Sequence, residues 1–154
     1  MLRAILTGGV FAGLAFIIPA VLAHTLAGMA PTAMLHFIAS GVLGAPAYEG
    51  GWPTALVGLV LHMGLSLAWA AIWIGLARRY EILLRRPWQA GAVYGVLIWA
   101  MMTFILLPLS RAVPDALPGG MMMLAAAVAH IVLIGWPIAW TATFLAPRRE
   151  DQPR

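Results

Sequence analysis

Four apolar runs, at residues 4–23, 54–77, 88–109 and 121–145, are each long enough to cross a bilayer, and this restricts the fold more than any other feature of the chain. A hydrocarbon core about 30 Å thick takes roughly 20 helical residues. In lipid every backbone N–H and C=O must find a partner within the protein, so a spanning run is either a helix or a strand of a closed barrel. None of the four runs alternates apolar and polar residues with a period of two, which removes the barrel. Composition agrees, since 9% of the 154 residues are charged against about 25% in soluble domains. The expectation is an all-α membrane protein, a four-transmembrane-helix bundle. Residues 1–147 form a single integral membrane domain, and 148–154 a short charged tail. Arg3 followed by an apolar run resembles a signal peptide, but the run exceeds the roughly 7–15 residues of a leader's core, and it is read as a retained helix.

The charges speak to topology. All nine basic residues are arginine and they lie at the ends of the apolar runs. With four spans, Arg3, Arg78, Arg79, Arg85, Arg86, Arg148, Arg149 and Arg154 fall on one side and only Arg111 on the other. The positive-inside rule then places both termini and the connection between the second and third spans in the cytoplasm, in a bacterial inner membrane. A net charge of +4 distributed in this way is no groove-binding patch, so a nucleic-acid partner is not expected. The partners expected are the lipid bilayer and a second copy of the chain or a larger membrane complex. There is no cysteine, which excludes disulfides and thiolate chemistry.

The connection over 24–53 is too apolar for an ordinary loop and too broken by glycine and proline to span. Residues 31–44 predict a short helix at the outer face, with Pro31 in its first turn and Gly44 as its stop. Pro137, within the fourth run, predicts a kink. Trp52 and Trp88 flank span starts and fit an interfacial belt, while the remaining tryptophans and Met121–Met123 read as packing. Gly9–Gly13 and Gly91–Gly95 are GxxxG motifs at matching depth in the first and third spans. Such glycines let helix backbones approach closely. The second and fourth spans each carry one histidine, His62 and His130, then a tryptophan, then paired arginines. The pattern reads as one helix hairpin used twice, with the outer segment inserted in the first copy, and implies a pseudo-twofold axis along the membrane normal.

Ionisable groups within spans are functional candidates by default. His62 and His130 fall about 12 and 13 Å inside their runs at 1.5 Å per residue, and so at one level. His24 and His36 map to the same outer half, with Glu49 at its mouth. These five form the candidate polar cluster. One reading makes His62 and His130 ligands of a b-type haem or a metal ion. The other makes each imidazole a hydrogen-bonding contact between helices, with Ser66 on the face of His62. Glu49 and Arg111, or Arg111 and Asp115, offer ion pairs. No motif for hydrolysis, nucleotide binding or metal-assisted catalysis is present, and no span holds a carboxylate of the kind pumps use.

The stretches WQAGAVYGVLIWAMMTFILLPLS, AHIVLIGWPIAWTATF and LHMGLSLAWAAIWIGLARR resemble the YagU-like group of bacterial inner-membrane proteins over roughly residues 55–145. The likeness lies in a Gly/Ala-rich span ending in Pro108-Leu109 and in histidines opening the second and last spans. It implies an inner-membrane location and a loose association with acid tolerance, and supplies no substrate or catalytic residue. The functional expectation is a non-enzymatic multi-pass membrane protein, serving in stress or acid response or as an accessory subunit. A haem- or metal-binding subunit and a small channel or carrier are the alternatives.

Overall fold

The computed structural model describes residues 1–112 and 119–145. Four helices are long and apolar enough to cross a membrane: α1 (Leu2–Leu26), α3 (Gly51–Arg79), α5 (Pro87–Leu109) and α6 (Gly120–Leu145). α1 and α3 extend their sequence-predicted runs by five residues each and α5 and α6 by one, since polar or small residues at a span's end cost little once they reach the interfacial zone. Two short α-helices, α2 (Ala33–Leu43) and α4 (Ile82–Arg85), and one 3-10 helix, Ala45–Tyr48, complete the set among the described residues. No strand occurs among the described residues. Asp115, the expected partner of Arg111, and the tail arginines Arg148, Arg149 and Arg154 lie outside them.

The spans run up and down. Met1 accepts a contact from Arg78, Gly9 faces Leu67, and Gly91 faces Ala139, so each hairpin is antiparallel. Arg3, Arg78, Arg79 and Arg86 share one end of the bundle, and His24, Glu49 and Arg111 lie toward the other. The helix surfaces that face outward are strongly apolar: Phe11, Ile18, Val60, Val93 and Phe144 are all exposed. In water so continuous an apolar surface would drive association. In a bilayer it needs no partner.

Inside, small residues dominate. Ala4, Ala12, Ala70, Ala77, Ala139 and Ala142 are almost wholly buried, with Trp73, Ile74, Ile98 and Ile138 as the large fillers. Lipid tails are as apolar as leucine, so helices associate through close packing rather than through expulsion of water. Both GxxxG motifs serve this purpose. A Cβ at Gly9 would lie 2.8 Å from Leu67 Cα, and one at Gly95 would lie 2.5 Å from Ile131 Cα. The hairpins are α1 with α3 and α5 with α6, as the repeat implies. They join where α1 packs along α6, with Gly8 against Thr141.

The repeat is not carried into a full pseudo-twofold. That symmetry would pack α3 on α5 as closely as α1 on α6, whereas the α3 and α5 backbones stand apart. Bulk explains the difference. Gly8 and Ala12 lie at the α1–α6 seam, while Trp69, Trp73 and Tyr94 fill the α3–α5 seam, with the Trp73 and Tyr94 rings 4.8 Å apart.

Proline shapes α5 and α6. Pro137 is preceded by a π turn at Ile131–Gly135, and Pro108 by one at Met102–Leu106. A proline ring inside an α-helix collides with the carbonyl four residues earlier and removes one hydrogen bond. Here those carbonyls belong to Leu133 and Phe104, and both lie in the widened turns, which accommodate the lost bond.

α2 ends at Gly44, whose φ of 69° is the left-handed value that glycine tolerates best. It packs along the start of α3, where the Leu35 carbonyl meets Gly58. Arg111 N–H donates to the Gly41 carbonyl at 2.9 Å, tying the inserted segment to the end of α5.

Candidate functional site

Acceptor chemistry assigns the state of each histidine. A backbone carbonyl only accepts, so the ring nitrogen facing it carries a proton. Nε2 of His62 donates to the Gly13 carbonyl at 2.9 Å, and Oγ of Ser66, one turn on, donates to the Gly9 carbonyl at 2.7 Å. The close approach that the two glycines permit is what brings their carbonyls within reach of α3. His62 and Ser66 are buried, and together they are the interhelical contact expected from their i, i+4 spacing.

His130 has the equivalent place in the second hairpin but a different bond. Its Nδ1 donates to the Ala126 carbonyl of its own helix at 2.7 Å. A neutral His130 therefore keeps the lone pair on Nε2. Across the seam Gly95 meets the His130 backbone rather than its ring. The two imidazoles share one neighbour, Phe16 of α1. Its ring lies 5.9 Å from that of His62, stacked at 28°, and 4.8 Å from that of His130, tilted at 59°. A protonated imidazole against an aromatic face gains a cation–π attraction, so Phe16 is a neighbour whose contact changes with the charge of His130.

The other three members of the predicted cluster lie elsewhere. His36 is buried within the inserted segment, on α2, and donates from Nε2 to the Gly51 carbonyl at the start of α3 at 2.8 Å. His24 donates from Nδ1 to Ala20 of its own helix at 2.8 Å. Glu49 is exposed on the turn before α3. The single ion pair among the described residues joins Arg85 to Glu81, so Glu49 makes none with Arg111. No group of three histidine or acidic side chains converges at metal-binding distance among the described residues.

Comparison of the chain with protein-family models, with curated proteins and with solved structures found no match. The arrangement of side chains is thus the ground for a functional reading.

A haem or metal held jointly by His62 and His130 would need a nitrogen from each ring directed at one point. His62 has Nε2 engaged with Gly13, and Phe16 packs on both rings. Nδ1 of His62 and Nε2 of His130 keep their lone pairs, so a shared ligand would have to be reached by these two nitrogens with Phe16 packed on both rings. No third histidine or acidic side chain among the described residues joins them.

Two contributors were passed over in the sequence. Phe16 follows Gly13 by three residues and so lies on the same helical face, one turn along. Tyr94 is an interior residue of the second GxxxG motif, and its hydroxyl donates to the Trp69 carbonyl at 2.6 Å across the α3–α5 seam. A tyrosine hydroxyl within an apolar span needs an acceptor, and that need was the available signal.

Proposed function

We propose that this chain is a non-enzymatic multi-pass protein of a bacterial inner membrane whose His130, Phe16 and His62 form a proton-responsive packing element, suited to a role in acid or stress response or as an accessory subunit. The observation that carries the reading is Phe16 packed on two imidazoles of unequal freedom. His62 is fixed by a bond from Nε2 to another helix, whereas His130 bonds only within its own helix; each ring keeps one basic nitrogen, Nδ1 of His62 and Nε2 of His130. Adding a proton at Nε2 of His130 places a cation among α1, α3 and α6, and the seam between the hairpins must answer by tightening on Phe16 or by opening to water. The resemblance to YagU-like proteins points the same way.

The test is hydrogen exchange on the full chain in nanodiscs between about pH 5 and 8, the interval in which an imidazole changes charge. Protection of the segments around Phe16 and His130 is expected to change with pH, after correction for intrinsic exchange. His130→Asn should abolish the change. His24→Asn should leave it, although His24, His36, Glu49 and Arg111 share that end of the bundle. A wild-type profile that is flat across the interval would remove the proposal.

The arginine distribution supports cytoplasmic termini and a cytoplasmic turn between α3 and α5. Since the chain has no cysteine, single-cysteine variants report directly. Glu81→Cys should react with an impermeant maleimide only after the cells are opened, and Glu49→Cys should react in intact spheroplasts. The reverse pattern would invert the topology.

A further inference from the structure

The two hairpins are braced unequally at the end that bears Arg111, the outer end in the proposed topology. In the first, α3 keeps Ala55 and Gly58 buried close to its outer end, where α2 lies against it. In the second, burial stops short. On α5 the buried residues are Gly91, Tyr94, Gly95 and Ile98, and none occurs at 102–109. On α6 none occurs at 120–130, and burial begins with Ile134. The outer part of α6 packs closely on α5 but on neither α1 nor α3. Each unburied stretch includes or adjoins a π turn, at 102–106 in α5 and at 131–135 in α6. A π turn interrupts the regular ladder of helical bonds, so helices bend there most readily. The brace across the gap is α2. Its Leu35 carbonyl rests on Gly58 of α3, and its Gly41 carbonyl accepts the Arg111 N–H just past α5 at 2.9 Å.

We propose that the stretches 102–109 of α5 and 120–130 of α6 form a gate, hinged at the two π turns and latched by α2. Elements with few buried contacts are the first to open, and these two stretches contain no buried residue. Undocking α2 breaks the Arg111–Gly41 bond. The two stretches can then swing outward together, while the inner halves of α5 and α6 stay packed at Gly91 and Gly95. The hinge in α6 begins beside His130, and Phe16 packs on that ring at 4.8 Å. The swing would therefore open the outer aqueous side onto Phe16 and the two imidazoles that it separates. The gate requires no change of charge on either histidine, and so stands apart from the proton-responsive reading.

A reversible lock tests the latch. A Cβ at Gly41 would stand 3.7 Å from that of Ser110, within the disulfide range of roughly 3.5–4.5 Å. The chain has no cysteine, so Gly41→Cys with Ser110→Cys forms a single cross-link between α2 and the end of α5. In nanodiscs at constant pH, amides at 131–135 should exchange at least tenfold slower in the oxidised protein than in the reduced one, about the effect of a modest cross-link. Amides around Ile74 should be alike in both. Spin labels at Leu26→Cys and Leu109→Cys, both exposed at outer helix ends, measure the swing itself. Gly58→Leu, whose side chain would displace α2, should lengthen and broaden that distance. A pair on the inner half, Phe11→Cys with Val93→Cys, should not change. Equal exchange at 131–135 in the oxidised and reduced forms would overturn the gate. So would a distance between positions 26 and 109 that Gly58→Leu leaves as it is.

Discussion

Gly95→Ala should destabilise the bundle by about 1–3 kcal/mol, the usual cost of overpacking a well-packed interior, and Ser66→Ala by only about 0.6 kcal/mol, the average for a hydrogen bond between membrane helices. The difference lies in what each change meets. A methyl group on Gly95 would stand 2.5 Å from Ile131 Cα and 2.8 Å from the His130 carbonyl oxygen. Both are backbone atoms where the α-helix passes into the π turn, so relief requires α6 to move as a body. Ser66→Ala removes a donor from a Gly9 carbonyl that α1 already uses in its own helix, and strands no buried group. Gly13→Ala should fall between the two, because the atom its methyl meets first is Sδ of Met63 at 2.8 Å, the far end of a flexible side chain. Gly64→Ala supplies the control, since no atom lies within 4 Å of its added Cβ, and no loss is expected. Unfolding in mixed dodecyl maltoside and dodecyl sulfate micelles, followed by far-UV circular dichroism, ranks the four. Finding Gly95→Ala as stable as Gly64→Ala would contradict the α5–α6 contact.

The same contacts show how far the chain could be read before its fold was known. The number of spans was legible because backbone desolvation in lipid admits so few solutions, and the runs at 4–23, 54–77, 88–109 and 121–145 each became one helix. The faces of those helices were harder. In a soluble helix, polar residues mark the outside, whereas here the outward Phe11, Ile18 and Val60 are as apolar as the buried Ile17 and Ile74. Small residues carried that information instead, and Gly9, Gly13, Gly91 and Gly95 did mark the two hairpin seams. His62 with Ser66 was legible for a related reason, since two polar groups one turn apart in an apolar span must share a partner. The position of Phe16 was not, because its contacts depend on the rotation of α1 against both α3 and α6. His24 and His36 map to the same outer half as His62, with Glu49 at its mouth, but position along the membrane normal says nothing about direction around a helix, and the five-residue cluster reduced to two imidazoles on a common ring. The loss of twofold symmetry depended on the volumes of Trp69, Trp73 and Tyr94, which a motif comparison does not weigh.

Gly58→Leu should detach α2 from the bundle while leaving all four spans helical. The added Cβ would fall on the Leu35 carbonyl, with Leu35 Cα also within 3.2 Å. Neither backbone can yield alone, because α3 is fixed one and two turns further along the same side by the His62 and Ser66 bonds to α1. The inserted helix is 11 residues against the 29 of α3, and its segment is held by His36 to the Gly51 carbonyl at 2.8 Å, Thr54 Oγ1 to the Ala47 carbonyl at 2.8 Å, and Arg111 N–H to the Gly41 carbonyl at 2.9 Å. A leucine at position 58 therefore displaces the partner with less to lose. Amides at 36–44 should then exchange at least tenfold faster than in wild type, which corresponds to about 1.4 kcal/mol of lost local stability or more. Amides around Ser66 and Ile98 should be unchanged. His36→Ala removes one tie without adding bulk and should produce a smaller shift in the same segment. If Gly58→Leu instead loosened α1 and α3 together, the inserted helix would be part of the bundle's core rather than a unit docked on it, and Leu35 would have to be counted with the interhelical contacts that hold the spans.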